Sequence, residues 1–555
     1  MPQDTKRERP LTDLAYAAFL FGLFLYFAPH AAQLIGTPHD LGGKVFLGFT
    51  ALLGLIFLSR LTALFWRLRA HWKVMRPKGE RGRAAWGDYE SARKSGLLKR
   101  RLGKRKGAGF FAGLLGRLPV FVDVESSGLI LSPAGGGKTV GFVIPALLHN
   151  RMSMVVADLK ATLAPVTGAA RKRYFKHRIY CLNPARQHEA VLGAPAAYNP
   201  LIVLIEDWED ENRHLLLMSD AQEVAKQLIQ EPREAGENVF FRNGSRKLLV
   251  FAFLYLLIET GELTLARALR LLSDVTELET ALYMARASDM LSGDLSRLAA
   301  DILSKMDTGD TRQFESFREG ALQALEPFSP SGVLADSTSR CDFRFSELRT
   351  NKAAVYVMPD PTQMEAFAPW IGLVMWAAKT ELVRCQTGQR VCFMLDEVTN
   401  FKIAGLPALL TSLREFKIVL WLVVQELEQW GHVYGQEAVE TLLSQTPVKI
   451  LHGSRSFKTC KLISDMLGER SIRSTSYNTG RHNLAPITRQ VSESAQKLMT
   501  PDEVARFEKV ILLNGPDKPL ILERAGYQEV EPWRSRAGIN PLFGKRFKGR
   551  VKARV

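Results

Sequence analysis

A chain of 555 residues is too long for one hydrophobic core, so two or more folding units are expected. Hydrophobic content of 46% with 24% charged residues, without low-complexity tracts or internal repeats, suits a globular protein carrying a modest membrane part. The formal net charge of +17 favours polyanionic partners, nucleic acid or anionic lipid headgroups, although positive flanks around membrane helices supply part of it. Five scattered cysteines (Cys181, Cys341, Cys385, Cys392, Cys460) form no C-x-x-C pair, which argues against a zinc site and a disulfide framework.

Residues 14–35 are apolar apart from Pro29, His30 and Gln33. A turn-like stretch, 36–43, leads to a second apolar run, 45–66, broken by Ser59 and Arg60. Each run has about the 20 residues that cross a bilayer as a helix. Lys6, Arg7 and Arg9 precede the first; Arg67, Arg69, Lys73, Arg76 and Lys78 follow the second. Positive charge on both outer flanks puts both termini in the cytoplasm. The second run follows at once and no small-x-small site precedes it, so 1–75 reads as a hairpin anchor and not a cleaved leader. A basic run from Lys99 to Lys106 then separates anchor from body. It fits contact with anionic lipid or with DNA at a channel mouth, and equally a solvated linker.

The strongest chemical signal lies at 128–139. A short apolar strand, 129–131, runs into Ser132, Pro133, Ala134, Gly135, Gly136, Gly137, Lys138 and Thr139, and a helix is expected from Val140 to Asn150. Strand, glycine-rich turn and helix make the setting of a Walker A loop, in which backbone N–H groups curl around phosphates. Lys138 is expected to reach the β/γ-phosphates of ATP and Thr139 to ligate Mg²⁺. Ser132 stands where the strict pattern has glycine.

Between Leu201 and about Asp342 apolar residues recur at helical spacing, at 220–230, 263–272 and 294–306. Leu248 to Ile258 is apolar on all sides but too short to span a bilayer, so it reads as a buried core helix. This predicts an all-α insertion, with a loop at 231–237. The α/β pattern resumes at 353–358, and Arg390 to Glu397 is a hydrophobic strand ending in two acids, Asp396 and Glu397. That is a Walker B pattern, with Asp396 holding Mg²⁺ and Glu397 as general base toward the attacking water. A further buried strand, 418–424, ends in Gln425, a γ-phosphate sensor or simply a solvent contact. Arg414, just before that strand, reads as an arginine reaching a neighbouring subunit's nucleotide, or as a solvated helix-end residue. The last stretch carries Arg534, Arg536, Lys545, Arg546, Lys548, Arg550, Lys552 and Arg554, and reads as a disordered arm adding nonspecific DNA affinity.

Taken in order, these segments resemble the type IV coupling proteins, conjugative DNA-transfer ATPases of the TraG/TraD kind. The resemblance also covers Ala84-Ala85-Trp86-Gly87, Ser95-Gly96-Leu97, Tyr198-Asn199-Pro200-Leu201, Leu413-Arg414-Glu415, 498–504 and 515–519. Met154 to Lys160 is similar to the family's strand ending in Asp-Pro-Lys-Gly-Glu, with Leu159, Ala161 and Thr162 in place of the proline, glycine and acid. The expected architecture is a RecA-like P-loop α/β domain with an inserted all-α domain and a two-helix transmembrane anchor. Its divisions are 1–75 anchor, 76–204 and 343–530 nucleotide domain, 205–342 helical insertion and 531–555 basic tail. The resemblance implies an ATP- and Mg²⁺-dependent hexamer in the bacterial inner membrane. Its implied partners are single-stranded DNA, a relaxase or relaxosome and inner-membrane components of a type IV secretion channel, with lipid around the anchor. The resemblance also places the all-α domain against the substrate complex. Protein effectors as cargo, a septal or double-stranded DNA translocase, and a docking platform with little turnover are the rival readings.

Overall fold

The computed structural model describes residues 41–75, 82–98, 109–123, 125–231, 239–306, 312–478, 488–544 and 549–555, with 19, 21–23, 25–30 and 33 of the first apolar run. The rest of that run, the basic run at 99–106 and most of the loop expected at 231–237 lie outside the described residues. Two compact units emerge, Met1–Ala85 with Asp465–Leu498, and Trp86–Ser464 with Met499–Val555.

In the first unit, Leu41–Met75 is one continuous helix, and Gly43–Trp66 within it is long and apolar enough to cross a membrane. Leu, Phe and Ile side chains lie exposed around it. The described residues of the first run are helical, and the Phe21 ring stacks on Phe57 at 5.1 Å between centroids. The same unit holds a long antiparallel hairpin, β10 (Glu469–Asn478) with β11 (Thr488–Lys497). Residues 82–84 bond to its base: Ala84 N–H donates to Glu469 O at 2.9 Å and Ser471 N–H to Gly82 O at 3.0 Å.

The second unit is built on a nine-stranded sheet. Its strands are β3 (Gly128–Leu131), β4 (Ser153–Ala157), β5 (Arg178–Leu182), β6 (Ala353–Val357), β7 (Val391–Leu395), β8 (Ile418–Val424), β9 (Val448–Leu451), β12 (Val510–Asn514) and β13 (Leu520–Leu522). The order is β13-β12-β9-β3-β8-β7-β4-β6-β5, parallel from β9 to β5 and antiparallel at β12 and β13. The central strands are buried along their whole length, which explains aliphatic runs that do not alternate. A separate hairpin, β1 (Phe110–Leu115) with β2 (Leu118–Val122), joins the same core. Gly128 is required here: a Cβ on it would lie 2.4 Å from the Trp421 ring, which packs between Phe142 and Phe110.

Every regular element described between β5 and β6 is a helix, from Glu189–Leu192 to Ser346–Arg349. Val239–Tyr255 packs on Arg312–Leu325 closely enough that a Cβ on Gly244 would lie 2.3 Å from the Phe317 ring. Leu248 to Leu254 and Leu256–Leu257 are buried, in keeping with a core helix.

The basic C-terminal segment departs from the expected disordered arm. Among its described residues Trp533 is fully buried, 4.9 Å from the Phe111 ring and 5.7 Å from His149. Farther along, β15 (Ala553–Arg554) pairs in parallel with β14 (Val530–Glu531), and Lys552 bonds Glu529 at 2.9 Å. Apolar anchoring at one tryptophan outweighs the basic composition, and among the described residues Arg550, Lys552 and Arg554 are exposed.

Candidate nucleotide site

Register places the site. Leu131 pairs with Val424 on one side and Leu451 on the other, Leu395 with Leu422, and Ala157 with Leu395. Parallel strands that end level deliver the residues after them to one edge: Ser132 to Thr139, Asp158 to Lys160, Asp396 with Glu397, Gln425 and His452. A crevice at the carboxyl ends of parallel strands is where open α/β sheets bind ligands.

The loop after β3 fits its motif. Gly135 and Gly137 sit at φ of +76° and +80°, a region that a side chain would strain. Gly136 N–H donates to Pro133 O at 2.9 Å, closing the turn. Ala134, Gly135 and Gly137 leave the loop rim exposed, and Val140 lies at the start of the helix Thr139–His149. Ser132, in place of the usual glycine, is fully buried and continues the strand, its N–H donating to Val424 O at 3.1 Å. Its Oγ fills the space beside Gly136, where an added Cβ would come within 2.2 Å. The substitution is thus accommodated by the glycine four residues on.

The two halves of the motif meet. Thr139 Oγ1 donates to Asp396 Oδ2 at 3.0 Å. Lys138 Nζ lies 3.8 Å from Glu397 Oε1, with both side chains buried. Burial lowers the Lys138 pKa, against the raising charges of Asp396 and Glu397. Asp396 is pushed up to about 6, first by burial and then by the Glu397 charge beside it. Glu397 itself takes a left-handed φ of +54°, a strained conformation of the kind found at functional sites. Gln425 Nε2 reaches Glu397 Oε1 at 3.5 Å, so the strand-end glutamine joins the acid.

Asp396 Oδ1 is buried and has no hydrogen-bond partner among the described residues. An orphaned carboxylate oxygen beside a hydroxyl is a pair of hard oxygen donors of the sort Mg²⁺ takes. The residues therefore fit that ion.

Arg414 is not brought to this site within one chain. It precedes Ile418, which pairs with Val391 at the amino end of β7, so it leaves the sheet at the edge opposite the phosphate loop. Four residues not assigned from the sequence do come in. Lys160 Nζ bonds Glu397 Oε1 at 2.5 Å, and Asn400 Nδ2 approaches Oε2 at 3.4 Å. His452 braces the loop from behind, donating from Nδ1 to Gly136 O at 3.1 Å, since a carbonyl only accepts. Burial holds His452 down at about 4, so the neutral ring makes this bond. Arg524 bonds His452 O at 2.9 Å. Lys160 was visible as the lysine after a strand-end aspartate; nothing in sequence spacing flags His452 or Arg524.

The loop that carries Lys160 is rigidly made. Buried Asp158 accepts from Thr162 N–H and Ala164 N–H, each at 2.9 Å, capping the helix Leu163–Ala170. Ala161 stands at φ +51°, which accounts for glycine at the matching position of the motif it resembles.

Sheet order, phosphate loop and the acid-ended strand β7, one strand removed from β3, together define a P-loop nucleotide-binding fold. The family described as "Type IV secretory system Conjugative DNA transfer" matches residues 84–548, and the chain belongs to it. VirD4 of Rhizobium rhizogenes is 25% identical over 477 residues, covering 82% of this chain and 66% of that protein. The conjugal transfer protein TraG of Escherichia coli is 24% identical over 444 residues, covering 75% and 66%. The chain thus spans just under two thirds of the length of these relatives. Among solved structures, the conjugative coupling protein TrwBdeltaN70 aligns with a TM-score of 0.54 at 16% identity, over 81% of this chain and 96% of that one. TrwB in complex with ADP and Mg²⁺ gives 0.53 at 17%, over 81% and 96%. At such identities the likeness shows the fold, a nucleotide-binding α/β unit with a mixed sheet.

Proposed function

We propose that this protein is an inner-membrane coupling ATPase that recruits a relaxase–single-stranded DNA complex and drives it into a type IV secretion channel. The observation that carries the reading is the convergence of Lys138, Thr139, Asp396 and Glu397, 257 residues apart along the chain between Thr139 and Asp396. Lys138 meets the β/γ-phosphates, Thr139 and Asp396 hold Mg²⁺, and Glu397 accepts a proton from the attacking water. Bound there, the ion supplies charge neutralisation and orientation at the phosphates. Gln425, touching Glu397, reports the state of the γ-phosphate to β8.

In this reading the apolar helix Leu41–Met75 and the run before it anchor the body as a two-helix hairpin. The helical chain between β5 and β6 acts as a separate cargo-facing domain. Arg414, on the far edge of the sheet, serves the nucleotide of an adjoining subunit, which calls for a closed ring of six. DNA contacts in such a ring go to phosphates and stacked bases with little sequence preference.

The test is the ATPase rate of the full chain in detergent, with and without single-stranded DNA, beside Lys138→Ala. DNA stimulation that vanishes in the variant is expected. Lysine-dependent hydrolysis indifferent to DNA moves the cargo to protein, and nucleotide binding without turnover leaves a docking platform.

A further inference from the structure

Glu397 has more cations than it needs. Lys138 and Lys160 approach the same oxygen, Oε1, at 3.8 and 2.5 Å. The two lysines differ in setting. Lys138 is buried in the phosphate loop, whereas the Lys160 side chain is 56% exposed, so its ammonium has room to swing. Its backbone does not, because Asp158 pins the loop through Thr162 and Ala164.

This arrangement bears on the base. An oxygen lone pair occupied by an ammonium is not available to take a proton from water. Lys160 must be drawn away before Oε1, the oxygen that the phosphate-loop lysine also approaches, is free to act. The γ-phosphate that Lys138 is placed to meet carries more negative charge than a carboxylate and offers several acceptor oxygens. It would lie beside the oxygen that both ammonium groups now share.

We propose that Lys160 is a second phosphate lysine, which caps Glu397 Oε1 until a γ-phosphate attracts it and so frees the base only when a triphosphate is bound. With ADP nothing draws the ammonium off, and Glu397 stays capped. Lys160 then discriminates between the two nucleotides as well as gating the base. The inference rests on the nucleotide reading above.

The experiment measures dissociation constants of the full chain for the non-hydrolysable analogue AMP-PNP and for ADP, both with Mg²⁺. Lys160→Met is expected to weaken AMP-PNP by about tenfold or more, the loss of one charge-assisted bond, and to leave ADP unchanged. Lys160→Arg should recover most of the difference. Glu397→Gln, which removes the competing charge, should tighten AMP-PNP only where Lys160 is present. Equal losses for both nucleotides, or no loss for either, overturn the proposal. Wild-type protein that binds neither nucleotide overturns the nucleotide site itself, which is a distinct result.

Discussion

Asp396 ties the chemistry of the site to pH. A carboxyl raised to about 6 keeps its proton in the folded chain at pH values where the unfolded chain, near its ordinary 3.8, has lost it. Between about pH 4 and about pH 6 the folded state binds more protons, so stability falls as pH rises through that window and then levels. Mg²⁺ binding runs the other way, because it needs the ionised carboxylate. Mg²⁺-dependent nucleotide affinity should drop several-fold on going from about pH 7.5 to about pH 5, and Asp396→Asn should flatten the dependence. Calorimetric titration at both pH values checks this; equal wild-type affinities would remove Asp396 from the metal site. That Lys138, Thr139, Asp396 and Glu397 converge was legible because the Walker patterns put particular side chains at fixed spacing after strand ends. Ser132 departs from that pattern in residue type, and its compensation at Gly136 appears only once the turn is built. His452 was invisible because tertiary register alone, β9 beside β3, brings it to the loop, and Arg524, just past β13, follows from the antiparallel edge of the same sheet.

At the scale of elements, periodicity served the helices well and the strand ends better. Leu248 to Ile258 reads as a core helix from its apolar run, and Leu248 to Leu254 with Leu256 and Leu257 are buried. The hairpin of β10 and β11 was not legible: its strands are rich in Ser, Thr and Arg, with no apolar face for a period of two to reveal. The C-terminal segment misled for a related reason. Its basic residues dominate the composition, while a single buried tryptophan decides its conformation. Trp533→Ala should cost about 3–5 kcal/mol. Chemical denaturation of the full chain measures it, and an unchanged midpoint would mean that the segment is not part of the core.

For the molecule as a whole, Arg414 carries the argument for assembly. If each site is completed by a neighbour's arginine, Lys138→Ala and Arg414→Ala chains are each inactive alone. Mixing them should restore a measurable fraction of the ATPase rate, because some boundaries then pair an intact phosphate loop with an intact arginine. A mixture that stays inactive, with both variants still oligomeric by light scattering, would confine Arg414 to a surface role. The fold also has a history built into its strand order. β3, which carries the phosphate loop, has only β8 and β9 as neighbours, and both are encoded some 290 or more residues later, at 418–424 and 448–451. On a ribosome adding roughly 5–20 residues per second, the strand waits on the order of half a minute for its partners. During synthesis the most strongly marked segment of the sequence is therefore among the last to find its place. Until then β3 has no sheet partner to join.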